Sequence, residues 1–254
     1  MLNHKITEEK KKTLLIIHGL FGSLDNWQTL AKKWSEHFRV LSIDVRNHGR
    51  SFHSESMSFE DMCNDILKLL THYGLDKISI LGHSMGGKIA MDFAAAYPDF
   101  VEKLIIADVA PYKYDAHHKE VFEVLDALNF NEFSSRADIE NCIVSKLPND
   151  KATAQFILKN IKRNEDTLAF EFKFNLKTLK SSYNYLIERI APNGFSGEVL
   201  FLAGEQSDYI SASTSSLLFD LYPCVEIEII ADAGHWIHAD NPEAVYEKVL
   251  NFVK

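Results

Sequence analysis

Six short apolar runs punctuate the chain, and each ends in a turn carrying Gly or Asp. Leu14–Ile17 leads into "HG", Val40–Ile43 into "DVRNHG" and Lys77–Leu81 into "GHS". Leu104–Ala107 leads into "DVAP", Val199–Ala203 into "GEQSD" and Glu226–Ile230 into "ADAGH". Runs that are apolar at nearly every position, rather than at alternate ones, belong to strands covered on both faces, the situation of a parallel sheet. Between them the period becomes helical. In "SFEDMCNDILKLLTHYG", Phe59, Met62, Cys63, Ile66, Leu69, Leu70 and Tyr73 fall on one face, Ser58 and Asp61 suit a capping box, and Gly74 is placed to end the helix. In "DNPEAV", Asn241 is the expected N-cap and Pro242 the first helical residue. Strand and helix in alternation predict an α/β fold with a mostly parallel, doubly wound sheet.

One interval breaks the rhythm. From Pro111 to Ile190 there are helical patterns, "HHKEVFEVLDALNF" and "KATAQFILKNIKR", but no run that reads as a buried strand. "AFEFKFNL" alternates, and its polar partners suit an exposed or lid-like segment. Eighty residues is too long for a connecting loop. The pattern predicts an inserted helical cap at 111–190, with the core domain formed by 1–110 and 191–254. Phe122, Phe130, Phe133, Phe156, Phe170, Phe172 and Phe174 are candidates for lining an apolar pocket in it or for gluing the cap to itself and the core.

Composition narrows the class. The 254 residues are 46% hydrophobic and 25% charged with net charge −9, an ordinary soluble globule without the basic face of a nucleic-acid binder. "EEKKK" at Glu8–Lys12 reads as a solvated approach to the first strand. No apolar run reaches membrane-spanning length and the N-terminus has no signal-peptide core, so a cytoplasmic protein without a membrane partner is expected. Cys63, Cys142 and Cys224 form no CxxC or zinc spacing and read as reduced core thiols; no metal is expected. Monomer and homo-oligomer fit the pattern equally.

The chemistry starts at "ILGHSMGGK". Gly82-x-Ser84-x-Gly86 is the nucleophile-elbow pattern, a serine on a sharp strand-to-helix turn that leaves no room for side chains two residues to either side. Such a turn presents the hydroxyl at a helix N-terminus, where backbone N–H groups favour developing negative charge. A phosphate-cradling loop is the competing reading, but neither GxxxxGK[ST] nor a helix-opening GxGxxG is present.

A serine hydroxyl needs a base. Of eleven histidines, His235 stands in the turn after the last predicted strand, on the same sheet edge as Ser84. His238 is the fallback, expected to be a surface or capping residue. His83 is expected to point away from the nucleophile it precedes, and His18 and His48 to make structural hydrogen bonds in Gly turns. Two carboxylates could orient the imidazole: Asp108 and Asp208 each follow a strand and preserve the order Ser, acid, His. The oxyanion hole needs two backbone donors, one from Met85 and one from the "HGLFG" turn, with Leu20 first in line and Phe21 next.

The motifs "IIHGLFGSLDNW", "DVRNHGRS", "LGHSMGGK", "DVAP" and "AGHWIHAD" together resemble the α/β-hydrolase superfamily, and within it the YbfF-type bacterial esterases. The likeness spans both halves of the core and is looser across the cap. It implies an α/β-hydrolase fold and a cofactor-free serine hydrolase acting on small-molecule short-chain carboxylic esters and on acyl thioesters such as acyl-CoA. It also implies Asp108 as the triad acid and a serine, here Ser207, at the usual acid position after the next strand; Asp208 beside Ser207 keeps the alternative open. The chain is also similar to the menaquinone-pathway lyase of this fold, 2-succinyl-6-hydroxy-2,4-cyclohexadiene-1-carboxylate synthase. Those enzymes carry Tyr before the nucleophile and Arg four residues after it, where this chain has His83 and Lys88. With only Arg136, Arg163 and Arg189 in the cap, forked cations for a polyanionic substrate are scarce. A non-catalytic binding domain is a third reading, set against by the intact Ser, His and acid set.

Overall fold

The apolar runs pair with one another. In the computed structural model, which describes residues 1–114, 118–148, 150–164, 166–188 and 194–254, seven strands form one sheet. They are β1 (His4–Ile6), β2 (Thr13–Ile17), β3 (Arg39–Ile43), β4 (Ile78–His83), β5 (Val101–Ala107), β8 (Glu198–Gly204) and β9 (Cys224–Ile230), in the order β1-β3-β2-β4-β5-β8-β9. Every neighbouring pair is parallel except β1 with β3.

Alternate strand residues face opposite sides, and both sides are covered. Leu15, Ile17, Leu41, Ile43 and Ile80 join Met62 and Ile66 of helix α2 (Phe59–His72) and Ile89 and Phe93 of helix α3 (Met85–Ala96). On the other side Leu14, Ile16, Val40 and Leu81 join Trp34 of α1 (Gln28–Trp34) and Val245 and Val249 of α10 (Pro242–Val253). Each such Leu or Ile buried from water contributes about 1.5–3 kcal/mol before its ordering entropy. Ser58 caps α2 through the Asp61 N–H, and Asn241 caps α10 through the Ala244 N–H, at the predicted positions.

Two strands depart from the sequence pattern. The edge strand β1, three residues of mixed polarity, was too short to register as an apolar run. At the other edge β9 is not covered on both faces: its positions are largely half-buried or exposed, and Ile229 is 65% exposed. Among the described residues no strand pairs beyond it, and its Glu228 pairs with Lys248 of α10. Cys224, which opens β9, is exposed rather than a core thiol. Cys63 is buried and Cys142 intermediate, and all three are free.

The adjacent strands β5 and β8 bracket the irregular interval. It contains α4 (Lys119–Asp126), α5 (Arg136–Lys146), α6 (Lys151–Lys159) and α7 (Leu176–Leu186), with α8 (Ala212–Leu221) and the short α9 (Ile237–Asp240) following in the sheet domain. The pattern "KATAQFILKNIKR" is helical only to Lys159. Buried Asn160 turns its amide back onto the Phe156 carbonyl, and β6 (Ile161–Arg163) then pairs antiparallel with β7 (Phe170–Phe172). The alternating "AFEFKFNL" is therefore half of a two-stranded hairpin. Arg189, the interval's expected end at Ile190 and the first His of "HHKEV", His117, lie outside the described residues.

Strand register decides which turns meet. Ile17 opposes Gly82, His83 opposes Ala107, Ala107 opposes Leu202 and Gly204 opposes Ile230. The carboxyl ends of β2, β4, β5, β8 and β9 thus form one rim, the edge at which parallel sheets bind ligands.

Candidate active site

Ser84 stands between β4 and α3 with φ 53° and ψ −121°, a region sparsely used by side-chain-bearing residues. Hydrogen bonds hold it there: its N–H donates to the Ala107 carbonyl at 3.0 Å, and its own carbonyl accepts from Gly87 at 2.8 Å and Lys88 at 3.2 Å. The flanking glycines are required by close backbone approach. A Cβ on Gly82 would lie 2.2 Å from the Gly86 carbonyl oxygen, and one on Gly86 would lie 2.4 Å from that of Ile17.

His235, five residues beyond β9, brings Nε2 to 3.0 Å from Ser84 Oγ and Nδ1 to 2.7 Å from Asp108 Oδ2. Asp108 is fully buried at the end of β5. Its Oδ1 accepts from the Gly204 N–H at 3.0 Å and its Oδ2 from the Ser207 hydroxyl at 2.6 Å. An ionised carboxylate accepts only, so the bonded Nδ1 carries the imidazole proton and Nε2 turns a lone pair to the serine hydroxyl. The His235 ring also stacks on Tyr209, centroids 4.2 Å apart and planes 21° from parallel. Asp208, the other candidate acid, is exposed, and the carboxylate paired with His235 is that of Asp108.

The two positions in the "HGLFG" turn differ. Phe21 donates its N–H to His48 Nε2 at 3.2 Å. The Leu20 N–H meets no acceptor among the described residues. The turn abuts the serine, since a Cβ on Gly19 would lie 3.2 Å from Ser84 Cβ. Met85 opens α3, where helix geometry leaves its N–H without an intrahelical partner. His18, like His48, bonds backbone: its Nε2 accepts from the Val45 N–H at 3.1 Å. Burial holds both imidazoles below the usual histidine range.

Two further histidines lie beside the base. His83 brings its ring centroid to 4.9 Å from that of His235. His238 is half-buried. It stacks on Trp27 at 4.4 Å, its Nδ1 is buried without a partner, and burial pushes its pKa down to about 3. Both follow from the side of the sheet on which the His235 turn lies.

Beside Ser84 a cavity of about 40 Å³, partly open to solvent, is lined by Leu20, Met85, Val109, Tyr183, Leu186 and Tyr209 among others. Tyrosines line it rather than the interval's phenylalanines. Phe122 and Phe174 instead pack on Phe21 at 5.2 and 5.1 Å, and Phe156 packs on Trp236 at 4.1 Å, gluing interval to core. Lys88 also reaches the cavity wall, where burial pushes its pKa down to about 8. Its ammonium donates to the carbonyls of Tyr112 (3.0 Å), Ile187 (2.9 Å) and Glu188 (2.7 Å), so all three donors are engaged. Nothing in the sequence pattern signalled Tyr209 or Tyr183, or the bonding of this lysine, whose contacts lie up to 100 residues away in the chain. Among the described residues no group of three His, Cys, Asp or Glu side chains converges as metal ligands do, and no helix is long and apolar enough to cross a membrane.

Known proteins share this arrangement of sequence and fold. The family model for the alpha/beta hydrolase fold matches residues 12–134. Esterase YbfF of Escherichia coli is 30% identical over 247 residues, covering 97% of this chain and 94% of that protein. The sn-1-specific diacylglycerol lipase ABHD11 of Mus musculus is 34% identical over 250 residues, covering 94% of this chain and 80% of that protein. A solved marine microorganism esterase, 38% identical, superposes with a TM-score of 0.93 over 99% of this chain and 98% of its own. The chain belongs to the α/β-hydrolase family, as an esterase of the YbfF type acting on ester bonds.

Proposed function

We propose that the protein is a serine carboxylesterase that hydrolyses short-chain, uncharged acyl esters through an acyl-enzyme on Ser84. The observation that carries this reading is the unbroken run of hydrogen bonds from Ser84 Oγ through His235 to Asp108. His235 Nε2 takes the hydroxyl proton as Oγ attacks the ester carbonyl. Asp108 keeps the Nδ1 proton in place and stabilises the imidazolium that forms, and the Ser207 hydroxyl and Gly204 N–H hold the carboxylate in turn. The N–H groups of Leu20 and Met85 receive the oxyanion, each worth roughly 10²–10³ in turnover. His235 then returns the proton to the departing alcohol and activates the water that releases the acid.

Two features support the substrate class. The cavity beside Ser84 is small, and Lys88, its ammonium saturated by carbonyls, offers no free donor to a charged acyl tail. Residues 111–190 are read as a cap, leaving the sheet at the end of β5 and returning at the start of β8. The test is a hydrolysis profile over p-nitrophenyl esters from acetate to decanoate, beside acyl-CoA thioesters of matching length. The expected profile peaks at or below about six acyl carbons. A rate that climbs steadily to decanoate contradicts the short-chain reading, and thioesters outpacing every ester reassigns the leaving group.

A further inference from the structure

We propose that His83 is a positioning residue, tying the peptide that carries the base to the strand that carries the nucleophile. The proposal rests on the reading of Ser84 and His235 given above. His83 Nε2 lies 2.9 Å from the backbone carbonyl oxygen of His235. A carbonyl only accepts, so Nε2 must bear the proton and donate. The ring is 1% exposed. Burial, reinforced by the neighbouring His235 and His238, holds its pKa well below the usual histidine range, so a single proton is present and sits on Nε2.

Three parts of the site meet on this ring. On one side it is joined to Ser84 by a peptide bond. Nδ1 abuts the oxyanion turn, lying 3.1 Å from where a Cβ of Gly19 would stand. Its Nε2–H grips the His235 loop. The loop's other backbone ties run to its own side of the sheet, through the Gln206 N–H on the Ala233 carbonyl (2.8 Å) and the Gly234 N–H on Asp240 (3.0 Å). The His83 bond joins it to β4, so a shift of the serine carries the imidazole with it. Trp27, Trp236 and His238 pack around the ring at 6.0, 5.7 and 5.0 Å. A misplacement of about 1 Å in a reacting pair costs on the order of 10²-fold, and a loop freed from β4 can move that far.

Two substitutions separate the donor from the packing. His83→Phe keeps an aromatic ring and loses the N–H; His83→Gln keeps an N–H of similar reach and loses the ring. Steady-state hydrolysis of p-nitrophenyl butyrate and the melting temperature are measured for both, with Ser84→Ala alongside. The proposal expects His83→Phe to lose about 30- to 100-fold in kcat with KM within threefold. His83→Gln is expected to recover at least tenfold of that loss, whichever of the two melts higher. Should the Phe variant not fold, His83→Met supplies the donor-free comparison. A donor-free variant within threefold of the parent, or a Gln variant no better than it, overturns the proposal. Full activity in Ser84→Ala would instead overturn the reading beneath it.

Discussion

Replacing Asp108 by Asn exchanges one oxygen for an NH2 group and is tolerated by the backbone, since Asp108 sits at φ 51° and Asn accepts that region readily. The surrounding hydrogen bonds decide where the NH2 goes. The Gly204 N–H needs an acceptor opposite Oδ1, so the amide oxygen stays there and the NH2 takes the place of Oδ2. That position faces the Ser207 hydroxyl, which can turn to accept, and His235 Nδ1, which must then accept as well. The imidazole proton moves to Nε2, and the ring offers Ser84 a donor where the chemistry needs a lone pair. Packing and hydrogen-bond count survive while the base is disabled. In serine proteases the same exchange lowers kcat about 10⁴-fold, equivalent to about 5.4 kcal/mol at 1.36 kcal/mol per decade. The same loss is expected here, with the melting temperature within about 4 °C of the parent. Asp208→Asn, altering an exposed side chain, is expected to stay within threefold. Hydrolysis of p-nitrophenyl butyrate by both variants, with thermal melts, is the assay. A larger loss in Asp208→Asn than in Asp108→Asn refutes the assignment.

Acid should destabilise the fold steeply. Burial depresses the pKa of His18, His48, His83 and His238 in the folded chain, so below about pH 6.5 the unfolded chain binds protons that the native one refuses. Their contribution is complete above that pH and is lost as pH falls, at up to ~1.4 kcal/mol per pH unit for each histidine and ~5 for the four together. Urea unfolding at pH 7.5, 6.0 and 5.0 measures it, and equal stability at all three contradicts the burial argument. Gly86→Ala drives a Cβ to 2.4 and 2.5 Å from the Ile17 and His18 carbonyl oxygens, backbone that cannot yield without moving the "HGLFG" turn. A cost of about 3 kcal/mol, ~6–12 °C in Tm, is expected together with a tenfold or greater loss of ester hydrolysis; an unchanged Tm would show the turn is not packed as described.

The strands and the elbow were legible because they are local. Leu14–Ile17 is apolar at every position and Ile78–Leu81 at all but Ser79, and Gly82 and Gly86 mark the tight turn without help from any distant residue. The choice between Asp108 and Asp208 was not, since both follow strand ends. The register of β5 with β4 and β8 brings the Asp108 carboxylate beneath His235, while one residue past Ser207 the chain turns outward. His83 shows how much further simple alternation reaches. Two positions beyond Leu81, it faces the same side of the sheet as Leu81, the side on which α1, α10 and the turn before them lie. Knowing that side, the strand period alone directs its ring toward His235. The interval between β5 and β8 resisted reading for a different reason. Its aromatics are placed by contacts such as Phe156 with Trp236, 80 residues apart, and no short pattern distinguishes a phenylalanine that glues from a tyrosine that lines.

The most direct test of the account is covalent: react the protein with a fluorophosphonate at neutral pH, digest it, and locate the adduct by mass spectrometry. A single phosphonyl group on the peptide containing Ser84, appearing in step with the loss of ester hydrolysis and slowed at least a hundredfold in His235→Ala, is the predicted result. An adduct on another residue, or ester hydrolysis that persists after Ser84 is fully modified, would contradict the claim that this serine, activated by this histidine, does the chemistry.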